Sequence, residues 1–176
     1  MKGSYILLIK LPKERNLSVG KLGYINFPEA FYAYVGSAMN GFKVRLAHHL
    51  REKKKPHWHI DYLLNEAEVL EIILCPSEPF AFRHSDPEWS EGAESRSALR
   101  SLRGECFIAH ALAKEFQSIP CFGASDCKCD SHLYFANDKD RLRAKVIEAI
   151  DQPVVSYEPK AWQSHSQRRL ENGIGI

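Results

Sequence analysis

The sequence predicts an α+β domain in which a small antiparallel or mixed sheet is flanked by helices. Three observations favour this class. Strand-like segments crowd the first third of the chain, helical apolar spacing dominates after residue 40, and 44% of the 176 residues are apolar against 26% charged. That balance is typical of a globular chain with one core and excludes low-complexity or wholly disordered chains. We expect one domain over residues 1–150 and a partly flexible C-terminal extension over residues 151–176.

The first third of the chain contains the clearest strand signals. Residues 3–11 are rich in Tyr, Ile and Leu and predict a first strand. Residues 17–27 predict a strand or a hairpin that bends at its two glycines. Phe31 to Val35 predicts a further strand that closes at Gly36. We therefore expect a small antiparallel meander at the N-terminus.

The next segment of the chain has helical apolar spacing. A helix is predicted to begin after an N-cap at Asn40, with an apolar face running from Phe42 to Leu50. Pro56 is expected to end it. A short helix around Ile60 and a strand over residues 68–75 should follow.

The second half of the chain begins with a polar segment. Residues 76–104 contain three prolines and many charges, which indicates a long polar insertion. Helices are predicted over residues 105–117 and 138–150, with a short strand over residues 132–136 between them. Residues 163–176 are expected to form a frayed tail.

The sequence predicts neither a membrane span nor a signal peptide at its start. No run approaches the ~18 apolar residues that a membrane span needs. The apolar stretch before Lys10 is short, and no small-residue cleavage site precedes Lys13. We therefore expect a cytoplasmic protein.

Positive charge is concentrated in one segment although the chain as a whole is nearly balanced. There are 24 Lys and Arg against 22 Asp and Glu, yet residues 39–59 hold six basic residues against one acidic residue, and four of the eight histidines. Such a block attracts phosphate, while a solvated helix face is the alternative. The candidate nucleic-acid contacts are Lys43, Arg51, Lys53, Lys54, Lys55 and His57.

Three features of the sequence converge on one candidate site. Gly3-Ser4-Tyr5 begins the first strand, and Tyr34-Val35-Gly36 lies at the end of a later one. Arg45 and His49 are four residues apart, so they share one face of the basic helix. A strand, a glycine turn and a basic helix form a corner suited to phosphate. The alternative for each tyrosine is a half-buried packing role in its strand.

At these residues the sequence resembles the GIY-YIG nuclease superfamily. Gly3-Ser4-Tyr5 and Tyr34-Val35-Gly36 stand where that superfamily has its two tripeptides. Arg45 matches its arginine, and His49 matches a histidine often found one turn later. The closer likeness is to an uncharacterised branch, a domain found alone or fused to base-excision DNA glycosylases. The blocks of likeness are GSYILL at residues 3–8, YAYVGSA at 32–38, HWHIDYLL at 57–64, EC at 105–106 and FGASDCKCDSHL at 122–133.

Glu105 can also be assessed from its helix alone. It lies three residues before Ile108 and four before Ala109, on the apolar stripe at the helix N-terminus. A carboxylate turned toward a core needs a partner, and a divalent cation is one. Complementing the helix dipole, worth ~0.3–1 kcal/mol, is the alternative. The resemblance favours a metal ligand.

The resemblance implies a metal-dependent endonuclease that hydrolyses DNA phosphodiesters in repair or processing. Glu105 would hold one Mg²⁺ or Mn²⁺ ion, and Arg45 would neutralise charge in the transition state. Tyr5, or alternatively Tyr34, would orient and deprotonate the attacking water, with His49 completing the hydrogen-bond network. DNA is the expected partner and RNA the alternative.

Two functions from other classes remain open at this stage. A non-catalytic nucleic-acid-binding module on the same scaffold would use the same basic segment, because phosphate attraction needs only positive charge. A zinc-stabilised protein-interaction domain would neither bind nor cut DNA.

The cysteines form a second candidate site. There are five, an odd number, and three fall within nine residues, which favours metal binding or free thiols over disulfides. Thiolate and imidazole ligands suit structural zinc. Buried free thiols in a tight loop are the alternative. The candidate zinc ligands are Cys121, Cys127, Cys129 and His132.

Overall fold

The computed structural model describes residues 1–52, 54–76, 104–150 and 154–164. In this part of the chain the main sheet has six strands, all antiparallel, in the order β6-β7-β4-β1-β5-β8. The predicted α+β class is confirmed. The elements are β1 (Gly3–Leu11), β2 (Arg15–Ser18), β3 (Tyr24–Phe27), β4 (Ala30–Ser37), α1 (Phe42–His49), α2 (His59–Leu64), β5 (Glu68–Pro76), α3 (Gly104–Ala113), β6 (Gln117–Ser118), β7 (Leu133–Ala136), α4 (Lys139–Glu148) and β8 (Val155–Tyr157).

Strand β1 lies in the middle of the sheet, between β4 and β5, and is covered on both faces. Every residue of it except Lys10 is buried. Strands covered on both faces are nearly continuously apolar rather than alternating. This explains why the sequence of β1 alternates only weakly.

The two faces of the sheet carry separate hydrophobic clusters. On one face, Tyr5 and Leu7 of β1 pack in a cluster with Leu46 of α1 and Ile60 of α2. On the other, even-numbered residues of β1 such as Ile6 pack in a cluster with residues of α3 and α4. Because successive strand side chains point to opposite faces, one apolar strand supplies both clusters.

The predicted N-terminal meander is wrong in its pairing. Strands β2 and β3 pair only with each other, on either side of a turn of 3₁₀ helix at Gly20–Leu22, and β1 pairs directly with β4. The hairpin buries Val19 and Phe27 in the same cluster as α1 and α2. The alternation of β2 therefore reflects its packing over one face of the main sheet.

Several element boundaries also differ from the predictions. Helix α1 has Gly41 rather than Asn40 at its N-cap and ends at His49, before Pro56. Helix α3 ends at Ala113, because residues 117–118 leave the helix to pair with β7. Strand β4 continues through Gly36, where it pairs with β1.

The C-terminal extension contributes to the fold in its described part. Strand β8 pairs with β5 at the sheet edge, and Trp162 is buried in the cluster under that face. The predicted insertion over residues 76–104 lies outside the described residues, apart from its two ends. The predicted tail after residue 164 lies outside them as well. Among the described helices, none has the length and apolar character needed to cross a bilayer.

Candidate active site

A cleft of about 300 Å³ lies at the end of the sheet where β1 begins and β4 ends. Tyr5, Tyr34, Arg45 and Glu105 all line this cleft. They come from β1, β4, α1 and the first turn of α3, so residues far apart in the sequence meet here. The structure brings together four of the five side chains that the sequence predicted to share a site, and the fifth, His49, lies behind Tyr5 and hydrogen-bonds it.

The glycine opposite Tyr5 leaves room for its ring at the cleft. Tyr5 and Gly36 are directly paired across β1 and β4. A Cβ atom added at Gly36 would lie 2.4 Å from both Cζ and Oη of Tyr5. The phenol therefore lies directly on the backbone of β4, and only glycine leaves room for it.

A chain of hydrogen bonds runs from Tyr5 into the protein. The Tyr5 hydroxyl lies 2.8 Å from Nε2 of His49, and Nδ1 of His49 lies 3.0 Å from Oδ1 of Asp61. All three side chains are buried. Helix α1 supplies the histidine and α2 the carboxylate. The packing of these two helices therefore sets the geometry of the hydrogen-bond chain.

Burial shifts the pKa values of the groups in this hydrogen-bond chain. Burial raises the pKa of Tyr5 well above its ordinary value, with Tyr34 adding to the rise and Arg45 opposing it. Burial likewise raises the pKa of Tyr34 to about 12. The pKa of His49 is lowered, because burial outweighs the hydrogen bond to Asp61. At neutral pH both phenols are therefore protonated and the imidazole is neutral.

Arg45 is presented to the cleft by an aromatic contact. Its Cζ lies 3.9 Å from the centroid of the Trp58 ring. A guanidinium stacked on an indole loses little side-chain freedom when it binds an anion. Trp58 also lines the cleft and makes edge contacts with His48 and His57, at 4.7 and 4.5 Å between ring centroids.

Glu105 is buried although it lines the cleft, with 7% of its surface exposed. Its Oε2 accepts a hydrogen bond of 3.3 Å from the Ser4 hydroxyl. The prediction from helix periodicity, a carboxylate on the inner stripe of the helix, is confirmed. Asp126 lines the same cleft from the loop before β7.

His59 connects helix α2 to the loop across the cleft. It is the first residue of α2, whose N-cap is Trp58. Its Nδ1 accepts a hydrogen bond of 3.3 Å from the backbone N–H of Gly123. This bond ties α2 to the loop that forms the opposite wall of the cleft.

The basic residues proposed to contact nucleic acid separate into two groups. Arg51, Lys55 and His57 are exposed and Lys43 is half-buried, while Lys53 lies outside the described residues. Lys54 turns inward instead. Its side chain is 2% exposed, and its Nζ donates to the His49 carbonyl and lies 3.9 Å from Oδ1 of Asp61. Lys54 neutralises the buried carboxylate and is not available to a phosphate.

The cysteine site differs from the predicted one by a single ligand. The ligand atoms of Cys106, Cys127, Cys129 and His132 all lie within 4.8 Å of one another and could hold a metal ion. Cys121 was wrongly included. It is exposed, with a φ of 59°, and its N–H donates to the Asp130 carbonyl.

Two parts of the site were missed from the sequence alone. Asp61 was not singled out, although an acid among the apolar residues of a short helix is a signal of a buried, partnered carboxylate. Cys106 was not assigned as a metal ligand either. Cys106 follows Glu105 directly on the buried side of a helix, and this position could have identified it as a ligand from the sequence.

These features define an α+β protein with a polar cleft at the end of an antiparallel sheet and a Cys₃His cluster beside it. The chain belongs to the family described as domain of unknown function DUF123, whose family model matches residues 4–81 and 90–154, most of the chain. No curated protein and no solved structure matches it significantly.

Proposed function

We propose that this protein is a metal-dependent endonuclease of the GIY-YIG type that hydrolyses phosphodiester bonds in DNA. The observation that supports it most is the meeting of Tyr5, Arg45 and Glu105 in one cleft. A phenol, a guanidinium and a carboxylate are the groups that general-base catalysis, charge neutralisation and metal binding need. The order of their motifs along the chain adds support through the resemblance to that superfamily.

The phosphate-binding part of the proposal rests on Arg45. Its guanidinium is anchored on Trp58 within the cleft, and a planar fork of donors matches two phosphate oxygens. In the transition state of hydrolysis, negative charge builds up on those oxygens. Arg45 therefore stabilises the transition state more than the ground state.

The metal part of the proposal rests on Glu105. A carboxylate that is largely withdrawn from water yet lines a cleft fits a divalent cation, and Mg²⁺ is often held by one or two carboxylates and several waters. Glu105 would hold the ion, with Ser4 fixing its second oxygen and Asp126 near enough to line the same cleft. When bound, the ion would supply positive charge to the scissile phosphate.

The base in this proposal is Tyr5. It lines the cleft and hydrogen-bonds His49, so its hydroxyl proton has an acceptor. That transfer is uphill, because burial raises the pKa of Tyr5 and lowers the pKa of His49, and Arg45 favours it by opposing the rise at Tyr5. The phenolate then accepts a proton from water, and the resulting hydroxide attacks phosphorus. Tyr34, whose ring centroid lies 6.3 Å from that of Tyr5, shapes the pocket beside it.

Plasmid nicking in Mg²⁺ tests the proposal. Arg45→Ala should slow cleavage by roughly 10²- to 10³-fold, the usual cost of losing one transition-state donor. Arg141→Ala is the matched control, because Arg141 is an exposed arginine on α4. Equal cleavage by wild type and the Arg45 variant would contradict the proposal.

A non-catalytic nucleic-acid-binding module is the second candidate, favoured by the exposed basic residues Arg51 and Lys55. It predicts salt-dependent binding of DNA with no cleavage of plasmid or branched DNA in either Mg²⁺ or Mn²⁺. Measuring binding and cleavage on the same protein sample distinguishes the two. Cleavage that disappears in the Arg45 variant excludes the binding module.

The metal of the Cys₃His cluster is proposed to be zinc in a structural role. Tetrahedral zinc with Zn–S bonds of ~2.3 Å places its sulfur ligands about 3.8 Å apart, and Cys127 Sγ lies 3.4 Å from His132 Nε2. The ion would join α3 to the loop before β7. It would thus fix the helix turn that carries Glu105.

Elemental analysis tests the zinc assignment directly. Wild type should hold about one zinc ion per chain, a count that Cys106→Ser lowers and Cys121→Ser leaves unchanged. These two variants are a matched pair, since only Cys106 belongs to the cluster. Zinc-free protein that melts at the same temperature as the purified protein would contradict the assignment.

A further inference from the structure

Asp61 occupies an unusual position for an acidic residue. Its side chain is fully buried, and its Oδ2 accepts hydrogen bonds of 2.9 Å from the backbone N–H groups of His57 and Trp58. The same oxygen lies 2.9 Å from Nε2 of His48, and Oδ1 lies 3.0 Å from Nδ1 of His49. A carboxylate with this many donors is held in one orientation.

The protonation state of Asp61 follows from these partners. Burial alone would raise its pKa, but the hydrogen bonds from His49, the two backbone N–H groups and His48 outweigh burial and lower it. Asp61 is therefore an ionised carboxylate, which accepts hydrogen bonds and donates none.

The ionised carboxylate determines the tautomer of His49. Because Asp61 can only accept, Nδ1 of His49 must carry the hydrogen, and Nε2 of the neutral ring is then an acceptor. The Tyr5 hydroxyl, 2.8 Å from Nε2, donates to it. The order is hydroxyl, imidazole and carboxylate, the arrangement in which an imidazole removes a hydroxyl proton.

The charged and titratable groups around the Tyr5–His49–Asp61 hydrogen-bond chain come from several elements. Arg45 and His48 of α1, Lys54 of the following segment and Asp61 of α2 surround His49. Tyr34 of β4, together with Arg45, faces the phenol. Lys54 and Arg45 disfavour a protonated imidazole, and Asp61 favours it. The carboxylate is thus the group that stabilises the imidazolium formed during proton transfer.

We propose that Asp61 is a positioning residue that holds His49 in the tautomer able to accept the Tyr5 proton. This inference rests on the proposed nuclease function. His49 takes the phenol proton, the phenolate takes a proton from water, and hydroxide adds to phosphorus as the P–O bond to the leaving oxygen breaks. The leaving oxygen takes a proton from solvent, and His49 returns its proton to solvent. The products are a phosphomonoester and an alcohol.

The first test is the tautomer itself, read from ¹⁵N shifts of the histidines in the wild-type protein. His49, assigned by comparison with His49→Ala, should carry its hydrogen on Nδ1. In Asp61→Asn the side-chain amide can donate to Nδ1, so the hydrogen should move to Nε2 and Tyr5 should lose its acceptor. A hydrogen on Nε2 in wild type would overturn the inference. Because no DNA is needed, this result does not depend on nuclease activity.

The second test is single-turnover cleavage. Asp61→Asn should lower the cleavage rate by roughly 10²- to 10⁴-fold with unchanged DNA affinity, the upper figure being that of a carboxylate lost from a hydroxyl–imidazole pair. Its rate should rise with pH, because the small fraction of ionised Tyr5 grows with pH even when His49 cannot take the proton. Asp140→Asn, which makes the same change at an exposed acid on α4, should stay within about threefold of wild type.

The outcomes of the two tests are distinguishable. A folded Asp61→Asn protein that cleaves at the wild-type rate overturns the inference. If Asp61→Asn does not fold, the wild-type tautomer still decides. Wild-type protein that cleaves nothing overturns the proposed function, while the tautomer measurement separately decides whether the hydrogen-bond chain exists.

Discussion

Replacing Gly36 with alanine tests how the site is built. The added Cβ would lie 2.4 Å from Cζ and Oη of Tyr5, more than 1 Å inside an ordinary contact of ~3.5–4.0 Å. The backbone of Gly36 is paired to β1 directly opposite Tyr5, so the strand has little freedom to yield. The phenol must therefore leave its position and lose its hydrogen bond to His49.

The expected cost comes from two contributions. Overpacking a close contact costs about 1–3 kcal/mol. A buried histidine nitrogen left without its partner costs a further ~1–3 kcal/mol. The sum of about 2–6 kcal/mol corresponds to a fall in melting temperature of roughly 4–24 °C for a chain of this size. Nicking should also be strongly reduced, because displacement by ~1 Å can cost about 10²-fold in rate.

The assay is a double-mutant cycle read by urea unfolding. Gly36→Ala is compared in wild type and in Tyr5→Ala, where no ring remains to collide with the new methyl group. In the second background the substitution should cost less than ~1 kcal/mol, because alanine loses less backbone conformational entropy than glycine in a strand. Equal costs in the two backgrounds would show that the phenol does not lie on Gly36, and would refute the reasoning.

Three further predictions concern stability and binding. Because the pKa of Asp61 is lowered, its carboxylate stabilises the fold above the ordinary pKa of about 3.9, and this contribution is lost on acidification. The difference in the free energy of unfolding between wild type and Asp61→Asn, measured in urea, should therefore be smaller at pH 3 than at pH 7. Arg143→Gln removes hydrogen bonds of 2.7 and 2.8 Å to Glu71 from a partly exposed pair, so it should cost about 0.5–1 kcal/mol in urea unfolding, and less in high salt. Arg51→Ser and Lys55→Ser should each weaken DNA binding equally across sequences and lower the slope of log K against log salt by about 0.9.

Much of the fold was predictable because local pattern and tertiary role agree. Helix α4 has Asp138 as a true N-cap, accepting from the N–H groups of Asp140 and Arg141, and its apolar spacing places Leu142 and Val146 in the core. In such an element, propensity, capping and burial favour the same structure. The short strand β8 has three residues and no such signal. It exists because β5 offers it an edge.

The site was predictable where a side chain's surroundings follow from its own helix or strand. Glu105 is such a case, because periodicity alone turns it inward. Lys54 is not, because only the fold reveals that a buried carboxylate on α2 draws it inside. Cys121 was predicted in place of Cys106 for the same reason. The cluster joins α3 to a loop distant in sequence, so the distances between its ligands depend on tertiary packing.

The most direct test of the central claim is the cleavage rate of Glu105→Gln against wild type on supercoiled plasmid, with DNA affinity measured on the same samples. The account predicts Mg²⁺-dependent nicking by wild type, a loss of about 10²-fold or more in the variant, and equal affinity for DNA. Nicking by Glu105→Gln at the wild-type rate would contradict the account.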